Sequence, residues 1–499
     1  VNLSRWQEER TGRISAAAAT LGVVLLASLL LLPKLLSPPA SDDTNATADE
    51  HAAPEILTND AFEAGPEAGM APSGKWYRDR RHARGQLSVE QRAEMKALEA
   101  IGYASGTQAA GTETGVTVLD PERAQPGLNF YVSGHGPEAV LMALGGRELH
   151  RWRCASSRAW PDRDSPGQGY WRRARLLESG EVLVIFGNVG LIKLDRDSNL
   201  LWTYAGQSHH ALDVDEAGRI FVLERVAVMA PWLHPDRPVL DDLITVLSPE
   251  GELLRQISLL DCIARSPLRE SLEEQLRNNY ARNLLREEAV RLEHRELIAR
   301  NPEQARQLDM AGDIFHTNQL QLLDGSLAKK SPHFRRGNVL ISIRNLGRVA
   351  VIDPRTQSLA WSLSGSWKGQ HEPVMLDTGR LILFDNHGPD ARGEKGFSEI
   401  LELEPLTGEV AWSYKGERPF EFYSHIAGTC QRLANGNTLI TESVTGRAFE
   451  VTPAKEIVWE FFNPHRAGAS DELIAFLPDL QRVPFEFVAD WLEEARDKR

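Results

Sequence analysis

Six stretches of the chain repeat one pattern of hydrophobic and polar positions. They are ALGGRELHRW (143–152), LDRDSNLLWTY (194–204), LSPEGELLRQI (247–257), IDPRTQSLAWSL (352–363), LEPLTGEVAWSY (403–414) and VTPAKEIVWEF (451–461). In each, an apolar strand end runs into a polar turn with Gly, Pro or Asn, then into an alternating strand that usually carries Trp. The starts lie 51, 53, 105, 51 and 48 residues apart. A period near fifty, made of short alternating strands, is the signature of propeller blades. Upstream of most copies stands a second hairpin, as in LLESGEVLVIF, DVDEAGRIFVL, LDTGRLILF and LANGNTLIT. Four strands per repeat and six repeats predict an all-β fold, a six-bladed β-propeller over 115–465. The tryptophans are expected to pack between neighbouring sheets. Residues 466–499 are expected to form a C-terminal segment packing on the propeller.

The double-length interval holds a segment without strand alternation. Leu268, Leu272, Leu276 and Tyr280 recur at i, i+4 on an otherwise charged surface. This predicts a helical insertion over 262–310, of one or two amphipathic helices, ending near Asn301-Pro302. Two placements are open: on the outside of a blade, or as a lid over the channel.

The N-terminal region has another character. ISAAAATLGVVLLASLLLLP (14–33) is free of charge and long enough to cross a hydrocarbon core as a helix. Arg5, Arg10 and Arg13 precede it, whereas SDDTNATADE (41–50) follows Lys34. The positive-inside bias puts 1–13 in the cytoplasm, makes 14–36 a transmembrane signal-anchor, and puts the rest in the periplasm or another extracytoplasmic space. A cleaved signal peptide is the rival reading; the apolar run is long for one, and SPPAS makes a poor cleavage site. Residues 37–87, rich in Ala, Pro, Glu, Asp and Gly, read as a disordered tether. Residues 88–114 read as a short helical segment, with Ser88 as N-cap, Gln91 completing a capping box and Gly102 as a stop.

Composition narrows the function classes. With 42% apolar and 25% charged residues in 499, the chain has the make-up of a globular protein with a sizeable core. A net charge of −14 argues against a nucleic-acid surface, which needs a basic stripe. The three cysteines, Cys154, Cys262 and Cys430, have no metal spacing and cannot form a disulfide framework; they read as small buried thiols.

The candidate chemistry lies in the histidines. Of fourteen, His209, His210, His316, His371 and His425 fall immediately before the first strand of a repeat. In a propeller that strand lines the central channel. His371 stands eight residues before the hairpin Gly379, and His210 eight before Gly218; the same offset from Gly180 reaches Arg172. These side chains should converge on the channel mouth from different blades. Asn318 points the same way as His316, by the period of two. Arg344, read as the middle of an otherwise apolar strand, needs an anion or a carboxylate partner, with Glu372 or Asp385 available for a salt bridge. Three histidines can hold zinc, but the arginine repels it and no HxH or HExxH occurs, so no metal is expected. Arg and protonated His match a sulfate or phosphate group, and a neutral histidine is a competent nucleophile.

The six repeats together with HHALDVD, HTNQLQLLD, LISIRNL and GQHEPVML…LILFDN resemble the bacterial arylsulfate sulfotransferase family over roughly 115–465. The resemblance implies a six-bladed propeller that moves a sulfuryl group from an aryl sulfate donor to a phenolic acceptor through a sulfohistidine, with no PAPS and no cofactor. His371 would be the nucleophile; His210, His316, Asn318 and Arg344 would surround the sulfuryl oxygens, with His209, His425 and Arg172 behind them. The chain departs from the family's periplasmic members in its anchor, its lack of a close cysteine pair and its helical insertion. Implied partners are the two substrates and, through the N-terminal helix, a membrane; no nucleic acid is implied. Two other readings stand beside this one. LEPLTGEVAW also resembles the repeats of quinoprotein-like propellers, some of them non-catalytic membrane-anchored scaffolds or binding modules that need no channel histidines in register. A metal-dependent lactonase propeller would want Asp and Glu ligands at its channel.

Overall fold

The computed structural model describes residues 76–78, 112–162, 169–235, 237–293, 312–387, 397–417, 421–468 and 470–492. Six antiparallel sheets are arranged in sequence as blades. From the channel outward, blade 1 contains Asp479–Val483, Leu128–Val132, Glu138–Ala143 and Glu148–Arg153. Blade 2 contains Arg173–Leu176, Val182–Phe186, Gly190–Leu194 and Leu200–Tyr204; blade 3 contains Leu212–Val214, Ile220–Met229, Pro238–Leu247 and Leu253–Ser258. Blade 4 contains Thr317–Leu322, Val339–Ile343, Arg348–Asp353 and Ser358–Ser364; blade 5 contains His371–Met375, Leu381–Asp385, Glu399–Leu403 and Val410–Tyr414. Blade 6 contains Thr429–Arg432, Thr438–Glu442, Arg447–Val451 and Ile457–Phe462, with Gly115–Leu119 as an outer fifth strand.

The sequence pattern explains the layers. Second strands such as Val182–Phe186 and Leu381–Asp385 are buried along their whole length because neighbouring blades cover both faces. Fourth strands such as Leu200–Tyr204 alternate between half-buried and exposed positions. The repeated tryptophan stitches blades together. Its indole N–H donates to a turn carbonyl of the next blade: Trp152 to Gly180, Trp202 to Pro249, Trp412 to Pro453 and Trp459 to Leu144, at 2.9–3.1 Å. Inner strands are edge strands, whose free backbone groups need partners. Side chains supply them. Gln321 accepts from Met375 N and donates to Met375 O; Gln431 does the same with Arg482; Asp213 accepts from Leu322 N.

Two expectations are corrected. The segment 466–499 does not simply pack on the propeller, because Asp479–Val483 is the innermost strand of blade 1, paired along its length with Leu128–Val132. That strand closes the ring. Leu473–Ala475 and Arg466–Ala467 form a small sheet with Trp76–Arg78. Arg344 is not mid-strand: Val339–Ile343 ends before it, and Arg344–Leu346 is a single 3-10 turn. Ile341 and Ile343 fill the blade, and the arginine begins the exit loop.

The insertion forms helices Leu259–Ala264 and Arg269–Glu293. Leu272, Leu276 and Tyr280 are buried with Phe315, Ile343 and Leu346 against blades 3 and 4. The three cysteines are buried and unpaired. The expected anchor (14–36), the tether (37–87 but for Trp76–Arg78) and nearly all of the 88–114 segment lie outside the described residues. Among those described, no helix is long and apolar enough to cross a membrane.

Trp459 tests the stitching. Trp459→Ala should cost about 3–5 kcal/mol in urea unfolding through the cavity it leaves, and Trp459→Phe about 1 kcal/mol through the lost hydrogen bond. Equal losses in the two variants would contradict the account.

Candidate active site

Antiparallel pairing brings the entry of each inner strand and the exit of each second strand to the same end of its blade. The site is built from these two kinds of position. Entries supply Arg172, His209, His210, His316 and His371 in blades 2 to 5. Positions seven residues past each hairpin glycine supply Arg225, inside the long strand Ile220–Met229 of blade 3, and Arg344 and Asn386 at the second-strand exits of blades 4 and 5. The backbone is left-handed at His210 (φ 53°), His316 (φ 49°) and Glu372 (φ 48°). The ladder also slips at the starts of the inner strands of blades 4 and 5. Such bulges re-aim side chains and recur next to active sites.

His371 is the most constrained. Its Nδ1 lies 2.8 Å from Gly369 O and 2.7 Å from Asn386 Oδ1. Both partners accept only, because the Asn386 amide group donates to Ser424 O and Ala427 O of blade 6 at 2.7 and 2.6 Å. Nδ1 therefore carries the proton, and Nε2 keeps its lone pair. Gly369 itself is left-handed (φ 64°), and a Cβ there would meet the Arg344 guanidinium at 3.6 Å. Burial, then repulsion from Arg344, holds the His371 imidazole well below the usual histidine range, against the opposing hydrogen bond to Asn386.

The other histidines form a chain. His210 and His316 rings lie 5.0 Å apart between centroids, and Nδ1 of His210 is 2.9 Å from Nδ1 of His209. His316 donates from Nδ1 to Asp313 at 2.5 Å. Burial, with repulsion from Arg172, keeps His210 well below its ordinary value. Burial also lowers His316, outweighing its Asp313 hydrogen bond. Protonated histidines are thus not the cationic groups here; the arginines are. Arg172 and Arg225 make no side-chain hydrogen bond or ion pair among the described residues, and Arg225 Nε is buried without a partner. Both residues are half-buried, and a partly desolvated guanidinium without a partner carries a cost that an anion relieves. Asn318 donates to Gln370 O at 2.8 Å, while its Oδ1 is buried without a partner.

Arg344 is held from outside the ring. Asn279 and Gln275 of the helix Arg269–Glu293 donate to Asn345 O and Leu346 O, both at 2.9 Å. The carboxylates put forward as partners for Arg344 are engaged elsewhere. Glu372 forks onto Arg173 of blade 2 at 2.6 and 3.0 Å, with Asp479 3.4 Å from the same guanidinium. Blades 2 and 5 stand opposite in a ring of six, so this cluster crosses the channel. Asp385 pairs with His387. His209 is buried behind His210 rather than facing the channel, and His425 is set beside Tyr423.

Sequence reasoning missed Arg225, Asn386, Asp313 and Asp242. The first two were findable, since Arg225, Arg344 and Asn386 share one offset from their hairpin glycines. Elsewhere His135, Glu138 and His465 bring ligand atoms within 4.8 Å. Glu138 there already accepts from Arg151 and Arg153, whose charges oppose a cation. A cavity of about 930 Å³ at the other end of blades 3 and 4, lined by Asp215, Arg219, Arg336 and Asp353, includes none of the histidines.

Residues 173–464, more than half of the chain, match the family model described as arylsulfotransferase (ASST). No curated protein matches. Solved structures with similarity include a protein of unknown function from Bacteroides caccae (11% identity, 70% of this chain and 99% of that one, TM-score 0.42). A streptogramin B lyase shares 11% identity over 76% of this chain and 96% of its own (TM-score 0.39), and apo AztD from Citrobacter koseri 11% over 71% and 99% (TM-score 0.34). These likenesses do not bear on the chemistry.

An oxyanion should find the arginines. Sodium sulfate should raise the melting temperature beyond chloride of equal ionic strength, and Arg172→Met/Arg225→Met should reduce that excess to the general salting effect of sulfate. An unchanged excess in the double variant would contradict the site.

Proposed function

The chain belongs to the arylsulfotransferase family, and on that footing we propose that it transfers a sulfuryl group from an aryl sulfate to a phenol through a sulfated His371, with no nucleotide donor. The observation that carries the reading is the pair of acceptors on His371 Nδ1, which leaves Nε2 as the nucleophilic atom. Nε2 attacks sulfur, the bond from sulfur to the aryl oxygen breaks, and the phenolate departs with that electron pair. The imidazole becomes cationic, and its Nδ1–H stays shared between Gly369 O and Asn386 Oδ1. The acceptor oxygen then attacks the same sulfur, loses its proton, and returns His371 to its neutral form. Two steps with a covalent intermediate replace one difficult displacement.

Arg344, Arg172 and Arg225 offer fixed positive charge to the three sulfuryl oxygens, with Asn318, His210 and His316 beside them. By analogy with phosphoryl transfer, positioned cations do most of the work. The site has no need of a metal for this role. The catalytic domain is proposed to act outside the cytoplasm, from the charge bias around 14–36; an inactive alkaline phosphatase fusion after residue 110 would oppose that.

With 4-nitrophenyl sulfate and added phenol, the protein should show a burst of 4-nitrophenolate and ping-pong kinetics. A random ternary-complex pattern without a burst would contradict a covalent intermediate. Arg344→Lys keeps the charge but loses the planar fork, and should lower the rate roughly 10²-fold with little change in melting temperature. Early melting with a retained rate would assign the arginine a structural role.

Because His371 stays neutral below the usual histidine range, lowering the pH through about 6.5 should not reduce the burst rate as it would for a free imidazole. Loss of the burst with an apparent pKa of about 6.5 would contradict that environment. Asn386→Leu leaves Nδ1 with one acceptor fewer and should slow the burst by about 10–100-fold, the scale seen when the partner that orients a metal-ligating histidine is removed.

A further inference from the structure

Behind His210 the fold buries a second histidine and a carboxyl group that the proposed displacement does not use. His209 is 2% exposed and Asp242 fully buried. His209 Nε2 and Asp242 Oδ1 face each other at 3.7 Å, and neither has a hydrogen-bond partner. Two orphaned polar atoms this deep are costly unless they share a proton at some stage. The other oxygen of Asp242 accepts from Thr317 N at 2.7 Å, which pins the carboxyl group in place. On its other side His209 touches His210, Nδ1 to Nδ1, at 2.9 Å. A continuous line therefore runs from a buried carboxyl group to an imidazole at the channel, whose Nε2 has no partner among the described residues.

We infer that Asp242 and His209 are a proton relay for His210, which protonates the departing phenolate and later deprotonates the acceptor phenol. The inference rests on the sulfuryl-transfer reading. Before transfer the proton sits on Asp242, His209 carries its hydrogen on Nδ1, and His210 carries its hydrogen on Nε2. His210 Nε2–H passes to the aryl oxygen as the sulfur–oxygen bond breaks. His209 Nδ1–H moves to His210 Nδ1, and Asp242 gives its proton to His209 Nε2. One proton has left, and Asp242 is now a carboxylate. His210 Nε2 then holds a lone pair, ready for the acceptor hydroxyl, and the three shifts reverse when that proton arrives. The 3.7 Å gap must shorten during the shift, as catalytic hydrogen bonds often do when substrate binds.

Burial, with Asp313 nearby, favours a carboxyl group at Asp242 that can hold a proton, against the arginine that faces it. Arg172, Arg225 and His316 face His210, and Arg225, His316 and Asp313 face His209. Burial pushes Asp242 up to about 7, although Arg225 opposes that rise. The other dyad, His316 with Asp313, is not suited to the task. Burial raises Asp313, but its hydrogen bond with His316 prevails and holds it below the usual carboxylate range, so it has no proton to give.

The test compares leaving groups within one variant, which cancels any loss of folded protein. A 4-nitrophenolate departs without a proton near neutral pH, whereas an unsubstituted phenolate needs one. Single-turnover release from phenyl sulfate should fall about 10²-fold or more in Asp242→Asn, and at least about tenfold more than release from 4-nitrophenyl sulfate. His209→Gln, which breaks the same line, should shift the ratio in the same direction. A ratio equal to wild type in both variants overturns the relay. So does a shift in Asp313→Asn with none in Asp242→Asn, which would put the proton on His316. If the wild-type chain releases neither phenol, the sulfuryl-transfer reading fails and takes the relay with it.

Discussion

Hydrogen bonds between Asp479–Val483 and Leu128–Val132 hold the two ends of the propeller in one sheet, and the channel depends on them. Each blade is a separate sheet, so no backbone ladder fixes one blade against the next. Side chains do this, through the tryptophan-to-turn hydrogen bonds outside and the glutamine bridges inside. Those contacts set the distances only if the ring is closed. The closing strand also carries Asp479, which with Glu372 flanks Arg173 and so joins blades 1, 2 and 5 at the channel. His371 stands one residue before Glu372. The same closure that completes the fold therefore fixes where the imidazole sits.

On that frame the protein collects unfavourable terms at one place. Left-handed backbone at His210, His316 and Glu372 costs of the order of 1–3 kcal/mol each. Arg172 and Arg225 face the site without a side-chain hydrogen bond or ion pair among the described residues, and burial keeps His210, His316 and His371 on the neutral side. Positive charge comes from groups that cannot titrate away, while His371 Nε2 keeps its lone pair. On the proposed reading, a sulfuryl group with its dispersed negative oxygens would relieve the arginines as its sulfur meets Nε2. The helix Arg269–Glu293 adds rigidity from outside, because Gln275 and Asn279 hold the turn that begins with Arg344.

The repeat made the blades legible. Their fourth strands bury tryptophan against the next turn, and that need recurs about every fifty residues. Entry histidines were legible for the same reason: His210 and His371 keep one offset from their hairpins. His316 does not quite keep it, because blade 4 has a long loop with two glycines, Gly325 and Gly337, and offers no single reference point. Ring closure was not legible. Asp479–Val483 lacks a hairpin partner nearby in sequence, and its partner strand lies near the start of the propeller. Asp242 and Asp313 were hidden because their importance comes from burial beside histidines of other strands, which no local pattern encodes. Arg344 looked mid-strand because apolar runs lie on both sides of it; the 3-10 turn at Arg344–Leu346 closes on left-handed Gly347, whose N–H donates to Arg344 O, as that of Gly446 does to Ser443 O in blade 6.

The central claim is that one imidazole, His371, carries the group between substrates. The most direct measurement is to incubate the protein with a sulfur-labelled aryl sulfate and no acceptor, quench at alkaline pH, and locate the label by peptide mapping. The account predicts one label per chain, on the peptide containing His371, which disappears when a phenol is added before the quench. Label on another residue, or none while the chain still turns over substrate, would contradict it.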